Sequence, residues 1–292
     1  MSEGLFEYWP APAKLNLMLR IVGRRPDGYH LLQTVFQFLD IGDQIGFRVR
    51  QDGRIRRINE LPGVVEESDL VVRAAKLLQQ HSGTALGVDL YIEKKLPMGA
   101  GLGGGSSNAA TVLMILNRLW DVRGSIDQLA DLGLTLGADV PVFVRGRSAW
   151  GEGIGEKLEP IDLPCPWYLV LVPSCHVSTA EIFSDPDLTR NSPRIKIRDF
   201  LDGSVQNDCL PVVCRRYPPV REAMQWLSHY STPRLTGTGA AVFASFEHED
   251  LALQVHRKVP EGYRSYVVRG VNHSPLGCNR VEKRNIQTGR GQ

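Results

Sequence analysis

The stretch from Met98 to Ala110, MGAGLGGGSSNAA, has glycine at five of its first eight positions and then runs directly into good helix formers. Glycine gathers where the backbone must take positive φ, or where a ligand or another chain must come very close to it. A single tight turn rarely needs five. Downstream, Val112, Leu113, Leu116, Leu119 and Trp120 fall on one helical stripe, and Ser106 or Ser107 is suited to cap the start. The loop therefore feeds a helix N-terminus. There the first N–H groups lack intrahelical partners and the macrodipole is positive, so an anion is expected, phosphate before others.

Two common phosphate loops fit poorly. Gly99, Gly101 and Gly104 satisfy G-x-G-x-x-G, with the acidic Asp121 about twenty residues on, as a dinucleotide site would want. That acid should end a second strand, whereas Asp121 lies just past the helix after the loop. The preceding VDLYIEKKLPM alternates Val88, Leu90 and Ile92 with polar residues, unlike the continuous apolar run of a buried parallel strand. A P-loop needs Gly-Lys-Ser/Thr at its end, and here Gly105 is followed by Ser106 without a lysine.

At 292 residues the chain suggests two domains, and the proline-rich PIDLPCPW places a boundary near residue 159, giving 1–159 and 160–292. A net charge of +2, from 34 basic and 32 acidic residues, gives no electrostatic case for nucleic acid. The pairs Arg24–Arg25 and Arg56–Arg57 read as solvated faces, although either suits a phosphate. No apolar run reaches membrane-span length, and MSEGLFEYWP has acids and a proline where a signal peptide would be basic and then apolar, so a cytoplasmic protein is expected. The five cysteines, Cys165, Cys175, Cys209, Cys214 and Cys278, form no C-x-x-C pair and read as reduced, mostly buried thiols. With no metal-ligand spacing among the seven histidines, any metal is expected to arrive with a substrate, as Mg2+ does on ATP.

Along the chain, AKLNLMLRIVG, the turn RRPDGYH and LLQTVFQFLDIGDQIGFRV predict an antiparallel sheet. SDLVVRAAKLLQQHSG predicts a helix capped by Ser68, with Val71, Val72, Ala75 and Leu78 inward and Gly83 as its stop. After the glycine-loop helix, SIDQLADLGLTLG predicts another, and DVPVFVRGRSAWGEGIGEKLEPI reads as strands and turns. Farther on, YLVLVP is a strand, STAEIF starts a helix, and PVREAMQWLSHY is amphipathic. Strands and helices come in blocks, which predicts an α+β fold over a doubly wound one.

Several residues are candidates for chemistry. A second glycine motif, Thr236-Gly237-Thr238-Gly239, stands immediately before a strand and would make a second wall of one phosphate cleft. Lys14 and Asn16 share a strand face opposite Leu15, Leu17 and Leu19, so they present two polar groups together. Alone, Lys14 reads as an exposed edge lysine. Asp139 reads as a capping or turn aspartate, yet an acid at the mouth of an apolar segment is also what accepts a hydroxyl proton in a kinase. Tyr29 and His30 lie in the DGYH turn.

Together, PAKLNL, RRPDGYHLLQTVFQFLDIGD, LPMGAGLGGGSSNAATVL, LGADVPVF, GEGIGE, LTGTGAAVFA and SPL resemble the GHMP superfamily of small-molecule kinases, from about Trp9 to Cys278. The ordered set, DGYH included, is similar to the diphosphocytidyl kinases within it. The resemblance implies a two-domain fold with the active site in the cleft between domains, and ATP with Mg2+ as phosphoryl donor. The acceptor it implies is the tertiary 2-hydroxyl of 4-diphosphocytidyl-2-C-methyl-D-erythritol, a step of non-mevalonate isoprenoid synthesis. It implies that Pro97, Met98, Gly99, Ala100, Gly101 and Leu102, then Gly103, Gly104, Gly105, Ser106, Ser107 and Asn108, wrap the triphosphate, with Lys94 near the adenosine side. Asp139 would be the base and Lys14 would hold the reacting groups. Tyr29 and Phe183 would stack on cytosine, His30 and Thr179 would select its edge, and Asn16 would face the erythritol. Other kinases of the superfamily, acting on homoserine or mevalonate, would keep the glycine loop without the aromatic clamp. A dinucleotide-dependent oxidoreductase and a non-catalytic nucleotide-binding module are the remaining alternatives. Asp69 stands where the resemblance leads one to expect asparagine, near the nucleotide pocket. The molecule is expected to be a monomer or homodimer, and the polar tail from about Asn279 to lack order.

Overall fold

The structure, a computed structural model, describes residues 5–203 and 205–277 together with the strand Glu282–Arg284. Strands β1 (Phe6–Arg24) and β2 (His30–Arg50) form one long antiparallel hairpin. Its turn is closed by the Arg25 N–H, which donates to the Tyr29 carbonyl at 2.7 Å, and by Gly28 at φ 93°. Strand β2 is the hub of the sheet. It pairs antiparallel with β4 (Gly87–Glu93), β5 (Ala149–Glu152) and β10 (Arg264–Val271), while β3 (Ile55–Arg57) runs parallel to β4 and β6 (Lys157–Pro160) extends β5. Beyond β10 the sheet continues through β7 (Trp167–Val172), β9 (Val242–Phe246) and β8 (Arg234–Leu235), and β11 (Glu282–Arg284) pairs with the first residues of β1. The arrangement is α+β, as the block order of the sequence predicts.

Helices cover the sheet in two groups. Helices α1 (Leu70–Ser82), α2 (Gly104–Leu119), α3 (Ile126–Leu134) and α4 (Val140–Arg145) bury a core that includes Phe38, Phe47, Leu78 and Leu113. Across the later strands, α5 (Thr179–Ser184), α7 (Leu210–Arg216), α8 (Pro218–Ser228) and α9 (Glu249–His256) close a second core around Leu169, Val220 and Leu227. A third apolar cluster, to which Phe200 of α6 (Ile197–Leu201) contributes, joins Leu15, Val35 and Trp150 to Tyr168, Val170 and Phe243, so apolar packing crosses residue 159. Each fully buried Leu or Phe of this kind stabilises the fold by about 1.5–3 kcal/mol. Because elements lie on both faces of β1, nearly every residue from Ala11 to Ile21 is buried, Lys14 and Asn16 included. Among the described residues no helix is long and apolar enough to cross a membrane.

Five local expectations need correction. Asp69, not Ser68, caps α1: its carboxylate accepts from Val71 N–H at 3.0 Å, while the Ser68 hydroxyl is spent on the Val65 carbonyl. The segment from Val140 is helix rather than strand. Its residues Val140–Val144 are all buried, and an all-apolar run looks the same for a buried strand and a short buried helix; Pro141 in the first turn and left-handed Gly146 at the end favour the helix. Neither Ser106 nor Ser107 caps α2; left-handed Gly103 at φ 73° occupies that position with no side-chain cap. Of the cysteines, Cys209 is buried, and burial first, then the nearby Asp208 charge, push its thiol up to about 12. Cys165, Cys175 and Cys214 are only half-buried and Cys278 lies outside the described residues. Within the tail expected to lack order, Glu282–Arg284 forms β11; its other residues lie outside the described ones.

Candidate active site

A cleft of about 590 Å³ runs between the glycine loop, the middle of the β1–β2 hairpin and the Thr236–Gly239 turn. The geometry of the first loop shows why glycine is needed. Gly99, Gly101 and Gly103 have φ of 69°, 77° and 73°. A Cβ on Gly101 would stand 2.5 Å from the Thr236 carbonyl oxygen, and one on Gly103 would stand 2.9 Å from Lys14 Cε. Positive φ and close approach thus coincide at both positions. Since no side chain caps α2, its first N–H groups stay open toward the cleft, as an anion site requires.

The two glycine turns are tied to each other. Ala241 N–H donates to the Ala100 carbonyl at 3.1 Å, and the Thr236 hydroxyl donates to the Gly101 carbonyl at 3.2 Å. Thr236 Oγ1 in turn accepts from Asn16 N–H at 3.0 Å, and Lys14 N–H donates to the Leu102 carbonyl at 3.0 Å. The loop therefore covers the edge of β1 that would otherwise leave Lys14 in solvent. Lys14 is 3% exposed, so the exposed-edge reading is overturned.

At the base of the cleft the Lys14 ammonium donates to Asn16 Oδ1, lies 3.1 Å from the Gly101 carbonyl oxygen and 3.2 Å from Asp139 Oδ2. Asn16 is oriented by its own amide, which donates to Thr34 Oγ1 at 2.8 Å, and Thr34 donates to the Met18 carbonyl at 2.6 Å. Asp139 stands at the N-cap just before α4 but accepts no capping bond, and its side chain is one-third exposed. Its carboxylate is thus available to the cleft, and a cation stands beside it. Such a pair binds a hydroxyl and takes its proton while the ammonium offsets developing charge.

Lys94 also lines the cleft, ion-paired with the buried Asp43. Asp43 Oδ1 additionally accepts from Lys95 N–H at 2.8 Å and Leu96 N–H at 2.9 Å, which fixes the chain where it enters the glycine loop. Asp69 lines the same end and is paired with Arg57, which is buried rather than solvated as its doublet suggests. Ser107 and Asn108 are buried in the first turns of α2, with Ser107 Oγ and Asn108 Oδ1 lacking partners. Asn108 reaches the cleft; Ser107 does not line it. Asp121 sits at the far end of α2, paired on the surface with Arg123, so the acid that the dinucleotide alternative called on does not line the cleft.

Thr179 and Phe183 of α5 line the opposite end. Phe183 stacks on His30, with ring centroids 5.0 Å apart and planes at 23°, while Tyr29 is 60% exposed at the hairpin tip and does not line the cleft. The Thr179 and Thr238 hydroxyls are hydrogen-bonded at 2.9 Å. Burial, the Arg190 charge and the Arg24 charge together hold the His30 imidazole below its ordinary value of 6.5. Thr34 and Arg190 are parts of this arrangement that the sequence did not single out, whereas Thr236 belongs to the second glycine motif. Neither Thr34, inside a strand, nor Arg190, in a polar loop, carries a local signal.

Residues 69–147 match the family of GHMP kinases N terminal domains. The chain is 57% identical over 267 residues to a 4-diphosphocytidyl-2-C-methyl-D-erythritol kinase of Pseudomonas paraeruginosa, covering 91% of this chain and 95% of that protein. It is 58% identical to the kinase of the same name from Ectopseudomonas mendocina, covering 91% and 92%. A solved 4-(cytidine 5'-diphospho)-2C-methyl-D-erythritol kinase superposes with a TM-score of 0.79 at 30% identity, covering 91% of this chain and all of that one. A mevalonate kinase at 16% identity and a TM-score of 0.66 shares the fold.

Proposed function

The chain belongs to the 4-diphosphocytidyl-2-C-methyl-D-erythritol kinases of the GHMP family, ATP-dependent phosphotransferases of isoprenoid synthesis, and from that premise we propose how its residues carry the transfer. The γ-phosphoryl group of ATP passes to the tertiary 2-hydroxyl of the acceptor. Asp139 takes the hydroxyl proton as the oxygen attacks. Lys14, fixed by Asn16 and the Gly101 carbonyl, aligns the carboxylate and neutralises charge on the transferring group. The observation that carries this reading is the Lys14–Asp139 pair at the mouth of an uncapped, glycine-fed helix.

The N–H groups of Gly103–Ser106 and the loop from Pro97 hold the triphosphate, with Lys94 and Asp69 toward the nucleoside; the Ser107 N–H is already bonded to the Gly103 carbonyl at 2.8 Å. Residues 1–159 form the ATP-binding half, and 160–292 supply Thr179, Phe183 and Thr238 to the acceptor side. Tyr29, His30 and Phe183 take the cytosine. Mg2+, which prefers oxygen ligands, arrives with ATP and supplies charge neutralisation on the phosphates. Among the described residues no three His, Cys, Asp or Glu side chains gather as a metal cage would need. Among the described residues that line the cleft, the orphaned Asn108 Oδ1 and the Asp139 carboxylate would offer the ion oxygen ligands. A cytoplasmic setting agrees with the four described cysteines being free.

The test is ADP release from Mg-ATP with the diphosphocytidyl acceptor, beside homoserine, mevalonate and galactose. Turnover confined to the cytidyl compound is the expected result. ATP binding without turnover on any of the four would leave the phosphate cradle standing and remove the acceptor.

A further inference from the structure

His30 and Arg190 meet through a single bond in which Arg190 Nε donates to His30 Nε2 at 3.2 Å. A guanidinium has five N–H donors and no acceptor. The ring nitrogen that receives it therefore carries no proton, and in the neutral imidazole the proton sits on Nδ1. Arg190 cannot easily turn away. Its Nη2 donates to the Phe183 and Asp185 carbonyls at 3.0 and 2.7 Å, and its Nη1 donates to the Leu188 carbonyl at 3.1 Å, so three backbone acceptors pin the guanidinium beyond the end of α5. The same helix carries Phe183, whose ring packs on the imidazole. One arginine thus holds the aromatic's backbone and the histidine's edge together.

We propose that Arg190 is a positioning residue that locks His30 in its Nδ1–H tautomer, so that His30 offers the base a hydrogen-bond donor and selects cytosine over uracil. The chemistry is a matter of matching. The ring N3 of cytosine is an acceptor, whereas N3 of uracil carries a hydrogen and would face the imidazole donor to donor. A site built around a fixed polar partner rejects the mismatched analogue because a buried group is left unpaired. The inference rests on the reading that His30 and Phe183 take the cytosine ring.

The charged groups around the imidazole agree with a neutral ring. Arg24 faces His30 across the β1–β2 register, Asp27 is engaged by Arg25, and the Asp185 carboxylate is taken by Arg215 and Arg216. Protonating Nε2 would place two donors against each other at 3.2 Å.

Two measurements on the full-length protein test this. Long-range ¹H–¹⁵N correlation near neutral pH should show His30 protonated at Nδ1 in the wild type, and Arg190→Ala and Arg190→Lys should release it toward Nε2–H. In both variants KM for the diphosphocytidyl acceptor should rise about tenfold, the upper scale of one hydrogen bond between neutral groups, while KM for ATP stays within about twofold. Discrimination against the diphosphouridyl analogue should fall by a similar factor. A wild-type His30 protonated at Nε2 overturns the proposal without any variant. Equal losses on the cytidyl and uridyl compounds also overturn it, since a merely structural role predicts that outcome. If no diphosphocytidyl acceptor turns over, the kinase reading fails, and the spectrum alone still decides the tautomer.

Discussion

Lys14 Nζ and Asp139 Oδ2 lie 3.2 Å apart, although the two residues stand far apart in the chain, one in β1 and the other just before α4. The pair stands where no strand or helix ladder requires it. With the carboxylate as the proton acceptor, Asp139→Asn should lower kcat by about 10²- to 10⁴-fold with little change in either KM. Steady-state kinetics decide this; an unchanged kcat removes Asp139 from the role of base.

Lys14→Met should abolish most activity and also cost stability. Asn16 Oδ1 and the Gly101 carbonyl lose their shared donor inside the protein, worth about 1–3 kcal/mol for a buried group left unpaired. Asp139, being one-third exposed, can still be hydrated and adds little to that loss. Denaturant midpoints measured beside kcat separate the two effects.

Gly101→Ala should weaken ATP binding more than acceptor binding. Its φ of 77° alone costs a Cβ-bearing residue about 1–2 kcal/mol, and that Cβ meets the Thr236 carbonyl at 2.5 Å. The expected readout is a lower Tm with a higher KM for ATP; a silent substitution would mean that the two glycine turns are not packed as described.

Phe183→Ala and Tyr29→Ala should each raise KM for the cytidyl acceptor and leave KM for ATP almost unchanged, at about 1–3 kcal/mol per stacked base. The two should differ in stability. Tyr29 is mostly exposed and its loss should not move Tm, whereas Phe183 also supports His30. Parallel rises in both KM values would rule out stacking on the base.

The buried carboxylate of Asp89 provides a test by pH. Burial alone would raise its pKa, but the guanidiniums of Arg48, Arg56 and Arg50 outweigh burial and hold it below the usual 3.8. A depressed carboxyl contributes stability that is complete above the unfolded value and is lost as pH falls through the folded one. Asp89→Asn should therefore cost about 3 kcal/mol near neutral pH, because three cations lose their shared partner. The gap between variant and wild type in urea midpoint should close in acid; a gap independent of pH would assign the loss to packing.

What could be read from the sequence follows the range of the interactions involved. The glycine-fed helix, the β1–β2 hairpin and Gly83 as a stop are written in a few adjacent residues, and the structure has them. The Lys14–Asp139 contact joins residues that no periodicity relates, so composition and spacing could only nominate each singly; the resemblance of seven separate blocks paired their roles. Helix α4 misleads because burial on every side erases the helical stripe. Arg190 sits in a polar loop that looks solvated, and only the fold shows it beneath His30 and Phe183.

The glycine loop is held from Leu102 to Lys14 at one side and from Ala100 to Ala241 at the other. During synthesis the first support is available early, but the second is not until most of the chain has left the ribosome. The growing polypeptide therefore has the glycine loop with its early bonds to Lys14 and Asp43 available and its bonds to Thr236 and Ala241 still missing. A fragment ending before β8 would carry every residue of the loop while lacking the Ala100–Ala241 and Gly101–Thr236 bonds that tie it to the second glycine turn.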